Sequence, residues 1–189
     1  MCIRDRFNSW FEEGKKDTDQ FMILSTANKE GVPSCRVVGA SMSENGLKIS
    51  TNCNSRKAKE FTENPFACGL FYWPDLDRQI IVQGSVEGLS EKESIEMYEF
   101  IPGRDCRISL LTGDQDEVLS GYDDLEARRK ETEEKYKDVD PLPRPPNLKA
   151  YILIPTRFEF YQGHCNWQAD RITFTKQPDG SWMLQRLMP

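Results

Sequence analysis

From Phe21 onward the chain is a succession of short β-rich runs separated by tight-turn residues, and this rhythm restricts the fold more than any other feature. Phe21–Ala27, Arg36–Ala40 and Leu47–Thr51 alternate with Asn28–Gly31 and Asn45-Gly46, residues that tolerate the positive φ of hairpin turns. Longer runs follow at Phe66–Trp73 and Gln79–Gly88, and a last group at Ala150–Ile154, Arg157–Gln162, Arg171–Lys176 and Trp182–Leu187. Pro178-Asp179-Gly180 joins the final pair. So many strands with such short turns predict an antiparallel meander that closes on itself to remove exposed edges. At 189 residues the chain reads as one domain, residues 1–189, with one core.

Helices interrupt the strands. Ser55–Glu63 stops before Pro65, and Glu91–Glu99 opens with Ser90 and Glu93 at capping-box spacing. The charged run Tyr122–Tyr136 predicts a solvated helix with a thin apolar stripe at Tyr122, Leu125, Thr132 and Tyr136. Pro141–Pro146 predicts an extended connector into the last strands. Near the start an amphipathic helix opens at Phe7, with Trp10 and Phe11. Met1–Arg6 carry no such pattern and read as a non-native or disordered leader.

Charge and cysteine usage exclude several classes. The net charge of −6 with scattered cations disfavours nucleic acid and anionic membranes as partners, and no apolar run is long enough to span a bilayer as a helix. Six cysteines without a Cys-x-x-Cys pair read as reduced thiols of a cytoplasmic protein. A metal centre is not expected, since His164 and Cys165 are adjacent and offer no four-ligand spacing. The same lone histidine leaves little basis for a hydrolytic triad.

Chemistry is suggested first at Asn54-Ser55-Arg56-Lys57, which puts two cations in the first turn of a helix, where the macrodipole is already positive. An anion there would be held by backbone N–H groups and a guanidinium. Two side chains extended into water are the equal alternative. Arg36 and Arg171 open strands, and Gln79 lies on the strand face opposite Ile80, Val82 and Val86. Phe158 and Phe160 should face the core and Tyr161 the other way.

Taken in order, Thr51-Asn52, Ser55-Arg56-Lys57-Ala58, Asn64-Pro65, Arg78-Gln79, Pro141-Leu142-Pro143, Phe160-Tyr161-Gln162-Gly163, Asp170-Arg171 and Arg186-Leu187-Met188-Pro189 resemble the pyridoxamine 5'-phosphate oxidase family from Phe7 to Pro189. The resemblance implies a mainly β, antiparallel FMN-binding split barrel with peripheral helices, working as a homodimer with flavin at the subunit interface. By position it implies FMN contacts at Arg36, Val37, Val38 and on to Ser41, at Ser50 and Thr51, at Arg56 and Lys57, and at Gln79, Gln115 with Asp116, Tyr161 and Arg171. It further implies hydride transfer from pyridoxamine or pyridoxine 5'-phosphate to FMN, oxygen as acceptor, and no protein nucleophile. Split barrels also hold haem or deazaflavin, and the phosphate-clamp residues favour FMN among these.

The substrate pocket departs from the family pattern. The family's phosphate-binding Lys, Tyr, Arg and Ser fall on Ser41, Tyr98, Pro102 and Cys106, and its Arg-x-His on Trp167-Gln168-Ala169. Losing these cations would cost on the order of 4 to 9 kcal/mol of phosphate binding if nothing replaced them. Arg104 and Arg107 are the replacements within reach in sequence. Three functions therefore stand: the family reaction, a flavin enzyme acting on a flatter, neutral substrate against Trp167 and Ala169, or a non-catalytic flavin-binding dimer.

Overall fold

The computed structural model describes residues 3–14, 21–164 and 168–189. Helix α1 (Ile3–Gly14) comes first, and it begins four residues before Phe7. Ile3, Phe7 and Trp10–Phe11 recur on one face of the helix, and Phe7 is fully buried. Ile3–Arg6, within the run that lacks a readable pattern, are thus the helix's first turn.

The strands then alternate with helices as β1 (Phe21–Ala27), β2 (Pro33–Gly39), β3 (Ser41–Met42), β4 (Leu47–Asn52), α2 (Arg56–Glu63), β5 (Phe66–Trp73), β6 (Arg78–Gly88), α3 (Glu91–Glu99), α4 (Gly103–Thr112), α5 (Tyr122–Lys135), β7 (Leu148–Gln162), β8 (Asp170–Lys176) and β9 (Trp182–Leu187). Local chemistry fixes the boundaries. At the β1–β2 hairpin Gly31 adopts φ +80°, and the Asn28 side chain accepts the Val32 N–H at 2.9 Å. Ser55 caps α2, and Ser90 with Glu93 forms the reciprocal capping box of α3. Helix α4 was not anticipated, because Gly103–Thr112 buries only Ile108 and so shows little apolar periodicity.

All strand pairs are antiparallel, in the order β2-β1-β5-β6-β7-β4-β3, with β8 also on β7 and β9 on β8. The split of the barrel lies in β7. Sequence alone suggested two strands around Pro155-Thr156, but the chain passes through as one fifteen-residue strand. One edge of β7 pairs with β6 along its length. The other edge gives residues 148–153 to β4 and residues 157–162 to β8. Proline has no N–H to offer a ladder, so it sits where pairing changes hands.

At this bend β7 carries a bulge: its register with β6 shifts between Gln83 and Gly84, leaving Thr156 as the extra residue. A Cβ on Gly84 would overlap the Ile154 carbonyl oxygen, so only glycine permits the approach. Inside the curl pack Met22, Leu24, Leu47, Ile49, Phe71, Ile80, Val82, Leu153 and Phe160, closed at one end by α1. Phe7 meets Phe71 edge-on at 5.6 Å and Phe11 meets it at 5.4 Å. No helix among the described residues is long and apolar enough to cross a membrane.

Because backbone rather than a flexible side chain blocks the added methyl, Gly84→Ala is expected to lower the unfolding free energy by about 1–3 kcal/mol. Urea unfolding compared with wild type measures it.

Candidate functional site

Strands β2 to β4, the start of α2, and helices α3 to α5 enclose a cavity of about 1320 Å³. The strand side offers Val37, Val38, Gly39, Ala40, Ser41, Lys48, Ser50, Thr51 and Asn52. The helical side offers Met97, Phe100, Ile101, Leu110 and Leu119, with Glu117 and Glu126 among its carboxylates and Arg128 and Arg129 as its cations. These two arginines are paired with carboxylates: Arg128 with Glu117 and Asp124, Arg129 with Glu133 and Asp105.

Lys57 is the buried cation of this cavity, 5% exposed, with Nζ donating to Thr51 Oγ1 at 3.2 Å and Gln115 Oε1 at 3.0 Å. It stands in the first turn of α2, directly after the Ser55 cap and Arg56. Burial pulls its pKa down, the Arg36 charge pulls the same way, and Asp116 and Glu60 oppose them. A buried ammonium bonded to neutral oxygens at a helix N-terminus is well suited to receive an anion.

Arg36 and Arg56 flank the cavity and are anchored by one carboxylate. Glu60, one turn along α2 from Arg56, is 3% exposed. It accepts from Arg56 Nε at 2.8 Å, Arg36 Nη2 at 3.4 Å, Ser34 Oγ at 2.6 Å, and the Thr26 hydroxyl. Arg36 also donates to Thr26 Oγ1 at 2.6 Å and Leu24 O at 3.2 Å, and to Ser34. Burial works against ionisation of Glu60, but the hydrogen bonds from Ser34, Thr26 and Arg56 outweigh it and bring the pKa down to about 2.

Residues 114–116 form a strap across the start of α2. Asp114 accepts from Asn52 Nδ2 at 2.8 Å and Asn54 Nδ2 at 2.9 Å, and also from Asn147. The Asp116 carboxylate accepts the Arg56 backbone N–H at 2.6 Å. Sequence reasoning missed Glu60, Lys48 and Asp114. The partners of Glu60 and Asp114 lie mostly 24 to 62 residues away, so no local pattern could reveal them.

Of the residues expected to touch a flavin, Val37, Val38, Ser41, Ser50, Thr51, Lys57 and Gln115 share this cavity. Arg36, Arg56 and Asp116 adjoin lining residues without lining it themselves. Gln79, Tyr161 and Arg171 do not line it either. They form a separate row across three strands, Gln79 opposite Tyr161 and Tyr161 opposite Arg171. Beside this row, Glu159 is 4% exposed and accepts from Arg171 Nη2 at 2.7 Å, Arg171 Nε at 2.9 Å and Arg157 Nη2 at 2.7 Å. Its own burial would raise its pKa, but these two guanidiniums hold it low.

Of the residues expected at the substrate, Ser41 and Pro102 line the cavity, whereas Tyr98, Arg104, Cys106, Arg107 and Ala169 do not. Tyr98 is buried, its hydroxyl 3.1 Å from Leu142 O and 3.0 Å from Pro143 O, with Arg107 over its ring at 4.9 Å. Arg104 donates to Val139 O at 2.8 Å and to Tyr136 O, and Arg107 to Ile101 O at 3.2 Å and Glu99 O at 3.1 Å. Cys106 is exposed on α4, and Ala169 is half-buried just before β8. Trp167 lies outside the described residues.

Residues 12–118 match the family model for pyridoxamine 5'-phosphate oxidase, and residues 149–189 match the pyridoxine 5'-phosphate oxidase C-terminal dimerisation region. The chain belongs to the pyridoxamine 5'-phosphate oxidase family. Family relatives include a pyridoxine/pyridoxamine 5'-phosphate oxidase of Nostoc punctiforme, 35% identical over 188 residues, covering 97% of this chain and 87% of that protein. One of Microcystis aeruginosa is 38% identical, covering 97% and 86%. Among solved structures, PhzG from Burkholderia lata, in complex with tetrahydrophenazine-1-carboxylic acid, superposes with a TM-score of 0.88 at 26% identity, covering 99% of this chain and 91% of that one. A pyridoxamine 5'-phosphate oxidase-related, FMN-binding protein of Nostoc punctiforme superposes at 0.80 and 15% identity, covering 100% and 99%, a likeness of fold. The mainly antiparallel split barrel read from the sequence is the fold of the chain, and the family relatives point to an oxidoreductase.

A carboxylate whose folded pKa is about 2, against 4.5 for a glutamate free in water, stabilises the fold above pH 4.5 and loses that contribution as pH falls toward 2. Glu60→Gln is therefore expected to be less stable than wild type at pH 7 by about 3 kcal/mol, with the gap closing in acid. Urea unfolding at pH 7 and pH 3 reads both.

Proposed function

We propose that the protein is an FMN-dependent oxidoreductase that takes pyridoxamine or pyridoxine 5'-phosphate to pyridoxal 5'-phosphate, with oxygen as electron acceptor. The observation that carries this reading is the convergence of Val37–Ser41, Ser50, Thr51, Gln115 and the buried Lys57 on one cavity. When bound, the flavin supplies the hydride acceptor. The chain supplies position and charge. The Lys57 ammonium, the Thr51 hydroxyl and the N–H groups opening α2 suit the flavin phosphate, and an ammonium held away from bulk water attracts it more strongly than a solvated one. Four free cysteines among the described residues accord with a reducing, cytoplasmic setting.

The proposal includes a homodimer, supported by the family match over residues 149–189. In it the flavin lies at the subunit interface, and the Gln79, Tyr161 and Arg171 row supplies contacts to the ring that one chain's cavity lacks. Gln79 offers an amide to the ring edge and Tyr161 an aromatic face. Glu159 holds the Arg171 guanidinium in a fixed orientation.

A second reading keeps the flavin and changes the substrate. Its support is that Tyr98, Arg104 and Arg107 are all engaged with backbone carbonyls, while the helical wall of the cavity offers Met97, Phe100, Ile101, Leu110 and Leu119. Such a wall suits a flat, aromatic or partly reduced ring better than a phosphorylated vitamer. PhzG, solved with a tetrahydrophenazine carboxylic acid, is a relative with a ligand of that kind.

Anaerobic titration of the yellow protein with pyridoxamine 5'-phosphate separates the readings. Bleaching of the flavin bands is the expected outcome. Bands that stay oxidised with the vitamer but bleach with a reduced aromatic carboxylate favour the second reading, and bands that no substrate bleaches favour a non-catalytic flavin-binding dimer. A protein that cannot be loaded with FMN rules out all three. Lys57→Met, which keeps the stem and removes the charge, is expected to weaken FMN binding by about tenfold to a hundredfold in a fluorescence titration.

A further inference from the structure

We propose that Asp116 is a built-in competitor for the flavin phosphate, its carboxylate standing at the start of α2 and setting how much a 5'-phosphate adds to flavin affinity. The inference rests on the flavin reading above. Three successive strap residues lay their side chains on the segment from Thr51 to Arg56: Asp114 on Asn52 and Asn54, Gln115 on Thr51 at 3.2 Å, and Asp116 on the Arg56 N–H at 2.6 Å. That N–H is one of the donors that a helix start leaves free for an anion.

The surrounding cations are unequally satisfied. Arg36 and Arg56 share the Glu60 carboxylate, whereas the hydrogen bonds of the buried Lys57 go to neutral oxygens of Thr51 and Gln115. The Asp116 charge is felt by Lys57, raising its pKa against the effect of burial. Lysine and helix start together present positive potential, and Asp116 is the carboxylate that meets it from the strap. A phosphate entering there either displaces Asp116 from the Arg56 N–H or remains beside it as a like charge. Both outcomes weaken binding of the phosphate and leave the ring's contacts untouched. Asp116 is exposed on a short connection, so its displacement requires no core rearrangement.

The test compares FMN with riboflavin, which lacks the phosphate, by flavin fluorescence on flavin-free full-length protein: wild type, Asp116→Asn and Asp116→Ser. The amide and the hydroxyl can still accept the Arg56 N–H, so loss of the cap does not confuse the result. Both variants are expected to bind FMN about tenfold more tightly than wild type, equivalent to about 1.4 kcal/mol, with riboflavin affinity unchanged. FMN affinity that is unchanged or weaker in both variants, while wild type binds FMN, overturns the role of Asp116 and leaves the flavin reading standing. Equal tightening of riboflavin also overturns it, because the effect would not then act on the phosphate. Failure of all three proteins to bind either flavin removes the flavin reading, and this inference with it.

Discussion

The architecture depends on one strand serving two neighbours. β7 keeps β6 along one edge and divides its other edge between β4 and β8, so the sheet must bend where the pairing changes. Pro155 and the bulge at Thr156 beside it provide that bend, and Gly84 allows the two backbones to approach. Without the division, β4 would have no place beside β7 and the cavity would lose its strand wall. The same strand carries Phe158 and Phe160 into the core and Glu159 and Tyr161 away from it, so packing and candidate chemistry are set by a single register.

Glu60 plays a corresponding part in the electrostatics. Two guanidiniums beside a buried ammonium repel one another, and an acidic group among them reduces that cost. It also fixes both arginines in place before any ligand arrives, a form of preorganisation that water-exposed side chains lack. Glu159 repeats the arrangement for Arg157 and Arg171 on the far strands. Each arginine pair is therefore oriented by a carboxylate that the local sequence does not advertise.

What the sequence made legible follows from the range of the interactions. Hairpins, the Ser55 cap and the Ser90–Glu93 box depend on residues a few positions apart, and they appeared where the turn and cap residues predict. The core faces of β6 and β7 followed from period-two alternation. Two readings failed for one reason, that a local signal was overruled by tertiary pairing: Pro155 suggested a break within a continuous strand, and the first turn of α1 looked featureless because the partners of Ile3 and Arg6 are in the barrel. The cavity residues came from family resemblance and from the two cations opening α2. That Arg104 and Arg107 instead close backbone carbonyls could not be read from charge alone, since an arginine's target is set by what the fold brings near it.

The cavity has walls of different kinds. One is a sheet, with β2 paired to β1 and β4 paired to β3 and β7, and the other is a set of helices, α3 to α5, joined by irregular segments and carrying apolar side chains beside a few charged ones. Such a construction separates what must be conserved from what can drift. Substitutions along α3 to α5 can reshape the cavity one side chain at a time, while the strand wall and the start of α2 stay as they are. The outline of the cavity can therefore change without disturbing the ladders that hold the sheet together.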